Sequence, residues 1–384
     1  MEPQLTLIGS RFPRLDARRK ASGEAKYGAD VSLHGLLYGA VLRSPLPHAR
    51  VLHVDASKAE RLPGVKAVLI PQDVPPIRIG MCKRDEPVLA DGKVRHAGEA
   101  VAAVAAVDED TAEEALSLIR VEYEPLPAVF DPEQALRGDA PWIHEEGNIA
   151  DHFAFERGDM EAGLRDAELI VEERFDVSCV QHCFLEPLAS VASFDSSGRL
   201  SIWSNLKSPF RLRKEVARTL SVPESSVRVI LTEIGGEFGG KGQTRIASVC
   251  MLALLARKAA KPIKMVCSRE EEFLAGTNRT PAVLWLRIGA TREGRLTFKE
   301  AKIIADSGAY CKAGPWVLST MAIRPDSLYR LPNLRTEATL AYTNNCPIGQ
   351  YRGFGNTEGT FALESMMDMV AGELGMDPVE LRLR

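Results

Sequence analysis

Apolar positions along the chain fall into two rhythms, short β-branched runs and stretches repeating every three to four residues. Residues 36–42, 50–54, 65–70, 101–107 and 121–123 read as strands, separated by Ser44-Pro45-Leu46-Pro47 and by a breaker cluster at 71–76. Residues 108–110 cap a helix predicted over 111–118. This set predicts a compact α+β domain over residues 21–131, preceded by an arm at 1–20 that is basic from Arg11 to Lys20. Residues 132–148 are rich in turn formers and read as a linker.

From 149 to 384 strands and helices alternate. Strands are predicted at 169–177 and 227–231, a buried one at 264–266, and another at 334–342. Hairpins are predicted at 189–194 with 200–204 and at 283–290 with 296–304. Helices are predicted at 209–220, at 244–258 and at 357–374, the last with Asn356 as N-cap. The 244–258 helix shows one apolar face, at Ile246, Val249, Cys250, Ala253 and Leu254. Asp377-Pro378 opens a final helix.

Three interruptions of this pattern carry the candidate chemistry. Between the 227–231 strand and the helix after it lies Gly235-Gly236-Glu237-Phe238-Gly239-Gly240-Lys241-Gly242. A glycine loop running from a strand to a helix N-terminus lets backbone approach a ligand and offers N–H groups to an anion. Residues 235–241 satisfy the phosphate-loop pattern G-x-x-x-x-G-K, but Gly242 stands where a magnesium-holding Ser or Thr is needed, and Phe238 is bulky. A nucleotide-binding loop is therefore one alternative, and a tight turn with no ligand is another. The second interruption is Gln350-Tyr351-Arg352-Gly353-Phe354-Gly355-Asn356, where the Arg352 guanidinium suits an oxyanion. The third is Gln181-His182-Cys183-Phe184-Leu185-Glu186-Pro187. Taken singly, Phe238 and Phe354 read equally as core residues and Gln181 as a turn cap.

Together the three segments resemble the molybdopterin-binding large subunit of the xanthine dehydrogenase and aldehyde oxidase family of molybdenum hydroxylases. The family's marks are a G-G-x-F-G-G-K loop, an upstream Q-H-x-x-x-E segment and a downstream R-G-F-G turn, and all three are present in order. The resemblance runs from about Ser22 to Arg384 and implies an α+β fold. An a/b hammerhead domain at 21–131, with Gly98-Glu99 ahead of its apolar strand, would precede the first of two molybdopterin-binding domains at 149–384.

The resemblance implies hydroxylation of an aldehyde, N-heterocycle or aromatic substrate with oxygen from water. The cofactor implied is molybdopterin, in its cytosine dinucleotide form, with a [2Fe-2S] subunit and an FAD subunit as electron-carrying partners. Cofactor contacts fall on Gln181, Gly236, Glu237, Phe238, Gly239 and Arg352. Gln181, Phe238 and Arg352 would lie next to the ligands of the molybdenum. Phe354 and Gly242 would face the substrate.

The family's glutamate base belongs to the second molybdopterin-binding domain. No catalytic residue is expected in this chain, and the chain alone should turn nothing over. A divided subunit is expected, with a companion chain carrying that domain, as in split-subunit nicotinate dehydrogenase-like relatives. Glu186 is expected to be a structural hydrogen-bond acceptor. Gly242 replaces the glutamate of purine-oxidising members and Gly353 the cysteine of carbon monoxide dehydrogenases, which disfavours both substrates. A noncatalytic scaffold of the same fold is the remaining alternative.

Composition narrows the partners. A net charge of −4 with no basic stripe gives no nucleic-acid or anionic-membrane footprint. The longest apolar run, 247–256, is short of a membrane span, and no signal-peptide pattern is expected. The seven cysteines are scattered, with no C-x-x-C pair, which predicts reduced thiols, a cytoplasmic protein and no iron–sulfur cluster on this chain. Cys179, Cys183 and His182 lack a fourth ligand at a spacing that would hold zinc.

Overall fold

The computed structural model describes residues 8–242 and 245–384. Before the 132–148 connection lie β1 (Leu37–Arg43), β2 (Ala49–Asp55), β3 (Val65–Leu69), β4 (Lys93–Val94), β5 (Ala100–Ala106) and β6 (Arg120–Pro125). After it come β7 (Ile149–Arg157), β8 (Leu169–Val177), β9 (Ala189–Phe194), β10 (Leu200–Ser204) and β11 (Val227–Leu231). The last four are β12 (Ile263–Val266), β13 (Ala282–Ala290), β14 (Leu296–Gly308) and β15 (Asn333–Tyr342). The mixture of helix and sheet is the expected α+β class.

The largest sheet has seven strands in the order β11-β10-β9-β12-β1-β5-β3. It draws on both sides of the connection, because β1 runs parallel to β12 with Leu37 opposite Ile263. A five-stranded sheet, β7-β15-β14-β13-β8, and a small one, β4-β2-β6, complete the fold. β5 reads Ala-Val-Ala-Ala-Val-Ala-Ala without alternation, and residues 101–106 are all buried. It is paired on both edges, by β1 and β3, and the Glu109–Leu118 and Ile246–Ala259 helices pack against it, so its side chains need no polar positions.

The Ile246–Ala259 helix departs from its expected single apolar face. Met251, Leu252, Leu255 and Ala256 are buried as well, because the helix lies between the seven-stranded sheet and the Pro209–Leu220 helix. Thr244, the expected first residue, lies outside the described residues. The expected burial of the 264–266 strand is not met: Lys264 and Met265 are half-buried and Val266 is exposed, and the buried residue of this strand is Ile263, just ahead of them.

Several elements were not foreseen, among them the Ser57–Arg61, Met160–Asp166 and Arg269–Ala275 helices, β4, β7 and the Gly314–Ile323 helix. β7 carries Asp151, His152, Glu156 and Arg157 along an edge and has no continuous apolar run. The Gly314–Ile323 helix is apolar on nearly all sides and shows no period. Within the 132–148 connection Asp131 caps a helical turn, accepting from the Gln134 N–H at 2.9 Å, and Ile143 and Asn148 are buried. The described part of the arm includes a turn of helix, Ala17–Ala21, whose Lys20 ammonium lies 3.2 Å from Glu233. Residues 1–7 of the arm lie outside the described residues.

A polar seam joins the early and late parts of the chain. Tyr310 donates to Glu99, Lys312 pairs with Glu86, and the Tyr342 hydroxyl donates to Asp85 Oδ2 at 2.6 Å. Glu86, Glu99, Tyr310 and Lys312 border a cavity of about 80 Å³ also lined by His96. Burial holds His96 down near a pKa of about 3 and pushes the Glu86 and Glu99 carboxyls up.

Candidate cofactor site

The three loops singled out by sequence meet at one place. β11 leads into the 235–242 loop, β15 leads into the 350–356 turn, and the 181–187 segment connects β8 to β9. Their glycines let the loops approach one another. A Cβ on Gly239 would stand 2.2 Å from the Gln350 carbonyl oxygen, and one on Gly240 would stand 2.5 Å from the Phe184 ring. The expectation that these glycines serve close approach to a ligand is thus amended: Gly239 and Gly240 make room for protein.

Lys241 rules out the phosphate-loop alternative. Its side chain is wholly buried, with Nζ 2.7 Å from Glu186 Oε2 and 4.8 Å from the centre of the Phe184 ring. An ammonium committed inside the fold cannot reach a phosphate held outside the loop. Burial pushes its pKa down, and Glu186 works against that shift. Glu186 also accepts the Gly235 N–H at 2.7 Å, which is the structural acceptor role expected of it.

Gln181 is half-buried, and its amide is partly engaged. Its Nε2 donates to the Glu272 carbonyl at 3.0 Å, while its Oε1 accepts from the Cys183 N–H and so caps the turn. One amide hydrogen is left over. Glu272 is itself buried, bound to Arg245 at 2.7 Å and to the Leu188 N–H at 2.7 Å. Burial raises the Glu272 carboxyl, but Arg245 and the Leu188 N–H outweigh it and the net shift is downward.

Phe238 holds the left-handed conformation at φ 50° and its residue is 46% exposed, so it is not a core side chain. Phe354 is also left-handed, at φ 54°, but packs against the core beneath the five-stranded sheet. Cys183 in the third loop is left-handed too, at φ 49°. Bulky residues in this region are strained, and three of them in three converging loops mark a site held together by its surroundings.

Arg352 is exposed, and its N–H donates to the Phe238 carbonyl at 2.8 Å, which locks the two phenylalanine-bearing glycine loops together. Glu237 pairs with Lys207 at 2.9 Å. Gly236 is half-buried, and Gly242 is buried with its Cα facing the Gln350 side-chain oxygen. Among the described residues, the N–H groups of Gly236, Glu237, Phe238 and Gly239 meet no protein acceptor. Unpaired amides next to an exposed arginine residue fit a negatively charged group.

The expected N-cap of the Asn356–Leu374 helix is corrected. Gly355 occupies the cap at φ 92°, where a Cβ would stand 2.3 Å from the Val317 carbonyl oxygen. Asn356 is the first helical residue and donates back to the Gly353 carbonyl at 2.9 Å. Arg279, Glu272 and Glu358 were missed because their partners are distant in the chain and no motif marks them. No group of three His, Cys, Asp or Glu among the described residues is placed to hold a metal ion.

Two family models match: the aldehyde oxidase and xanthine dehydrogenase a/b hammerhead domain over residues 22–127, and the molybdopterin cofactor-binding domain over residues 143–384. The chain belongs to the xanthine dehydrogenase and aldehyde oxidase family.

The family is one of oxidoreductases, the molybdenum hydroxylases, and this chain carries the hammerhead domain and a molybdopterin cofactor-binding domain of that family. It is 40% identical to a probable xanthine dehydrogenase subunit of Bacillus subtilis, over 96% of this chain and 49% of that protein. It is 39% identical to the nicotinate dehydrogenase large molybdopterin subunit of Eubacterium barkeri, over 98% of this chain and 88% of that protein. Quinoline 2-oxidoreductase from Pseudomonas putida 86 superposes with a TM-score of 0.88 at 32% identity, over 98% of this chain and 49% of that one. The chain therefore spans about half the length of the Bacillus and Pseudomonas proteins and most of the Eubacterium subunit. No helix among the described residues is long and apolar enough to cross a membrane.

Proposed function

We propose that this chain forms one wall of the molybdopterin site in a heteromeric hydroxylase acting on an aldehyde, N-heterocycle or aromatic substrate. The observation carrying the reading is the row of unaccepted amides at 236–239 beside the exposed Arg352. When bound, the molybdenum–pterin group supplies the two-electron oxidation and the water-derived oxygen.

This chain's residues bind and orient. The amides of Gly236, Glu237, Phe238 and Gly239 and the Arg352 guanidinium offset negative charge. The Gln181 side chain, with one amide hydrogen unspent, would serve the bound group as a hydrogen-bond donor. Phe238 gives an apolar face that excludes water, and Phe354 with Gly242 borders the substrate. The proton-abstracting base lies on a companion chain with the second molybdopterin-binding domain, a reading supported by the nearby carboxylates of Glu186, Glu237, Glu272 and Glu358 all being already paired. The dinucleotide form is the cytosine one, and [2Fe-2S] and FAD subunits carry electrons away. We place the assembly in the cytoplasm, a reading supported by seven cysteines with no disulfide among them.

The test is purification of the native assembly through a tag on this chain, with assays for molybdenum, released cytosine nucleotide, iron and flavin. All four should be present with a companion chain, and the isolated chain should be inactive with an artificial electron acceptor. An assembly lacking molybdenum and pterin would overturn the reading and favour a noncatalytic scaffold.

A further inference from the structure

We propose that Arg279 is a positioning residue that sets the backbone of Arg352, and through it the register of the two loops that carry Phe238 and Phe354. This inference rests on the function proposed above. Arg279 lies ahead of β13, outside all three motif loops, and its side chain is nearly buried.

Its guanidinium makes three contacts in different directions. Nη1 lies 2.8 Å from Glu358 Oε1, in the first turn of the Asn356–Leu374 helix. Nη2 donates to the Arg352 carbonyl at 3.2 Å. The plane sits 4.1 Å from the centre of the Tyr351 ring. On the backbone, the Arg279 N–H donates to the Val180 carbonyl at 2.9 Å, next to Gln181.

His182 completes the clamp. Its ring stacks on Tyr351 at 4.6 Å and 25°. Its Nε2 lies 2.7 Å from the Gln350 carbonyl oxygen, and because a carbonyl only accepts, that nitrogen carries the hydrogen. Gln350, Tyr351 and Arg352 are thus each held by a different contact. The Arg352 N–H is spent on Phe238 and its carbonyl on Arg279, so this peptide has little freedom to slide.

Lysine at this position would keep the charge opposite Glu358. It would lose the planar stack on Tyr351 and the second donor aimed at Arg352. A purely structural ion pair is therefore rescued by lysine, whereas a positioning guanidinium is not.

The experiment compares wild type, Arg279→Lys, Arg279→Gln and Arg352→Ala in the whole assembly. Arg279→Lys should unfold at the wild-type temperature yet retain roughly tenfold less molybdenum and pterin per assembly, the scale of losing a supporting contact at a metal site. The double variant Arg279→Lys, Arg352→Ala should hold no less than the worse single one, because the two act as a unit. Full loading of Arg279→Lys, or stability and loading that fall together in Arg279→Gln and recover together in Arg279→Lys, would overturn the inference alone. A wild-type assembly without molybdenum or pterin would remove the proposed function and the inference with it.

Discussion

Lys241 Nζ and Glu186 Oε2 stand 2.7 Å apart inside the fold, and this one pair decides what the glycine loop is for. Because Lys241 is wholly buried, Glu186→Gln leaves an ammonium without its counter-charge. The expected loss is about 3 kcal/mol of stability. Lys241→Met should cost less, about 1 kcal/mol, because Glu186 keeps the Gly235 N–H and part of its solvent contact. Urea unfolding of the two variants checks the order, and equal losses would contradict it.

Phe238 spends its backbone on a conformation that L-residues avoid. Phe238→Gly relieves a strain of about 1 kcal/mol and gives up an exposed ring. Stability should hold or rise while cofactor retention falls. Thermal unfolding and molybdenum content, measured on the same preparation, separate the two effects, and a drop in stability would argue that the ring is structural.

Gly239→Ala should fail on both counts. Its φ is 115° and the new methyl would meet the Gln350 carbonyl oxygen at 2.2 Å, so the two turns must part. A loss of more than about 1 kcal/mol is expected together with loss of the cofactor. Full loading of this variant would show that the contact between the turns is dispensable.

The pH dependence of stability has two opposed parts. Burial holds His96 near a pKa of about 3, below its value in the unfolded chain, so the folded state binds fewer protons there. That contribution is complete above a pH of about 6.5 and is lost as pH falls. Burial pushes Asp306 the other way, to about 6, against its hydrogen bonds from the Gly308 N–H, Thr343 and Asn345. Its contribution is present below a pH of about 4 and is lost as pH rises through 6, a swing of roughly 3 kcal/mol. Unfolding midpoints from pH 4 to 8 should therefore climb more steeply in Asp306→Asn and less steeply in His96→Gln than in wild type.

What the sequence made legible was local. The 227–231 strand, the 209–220 helix and the 189–194 and 200–204 hairpin appear where their apolar runs place them. The three loops stood out because two glycine strings bearing a phenylalanine and a buried-looking Gln-His pair are unusual among such runs. What stayed hidden depends on partners far away in the chain. Arg279 meets Glu358 across 79 positions, β7 is an edge strand whose polar half masks its period, and Gly239 faces Gln350. The nearly all-round burial of the Ile246–Ala259 helix follows from having a sheet on one side and a helix on the other.

The parallel pairing of β1 with β12 has a practical corollary. Cutting the gene between the two matched segments would strip β1, β3 and β5 from the central sheet and leave β12 with bare N–H and C=O groups on one side. Each fragment would be drawn to any strand that could replace its lost neighbour. Exchange of these segments between relatives would then succeed only where the edges at Leu37 and Ile263 have been matched to one another.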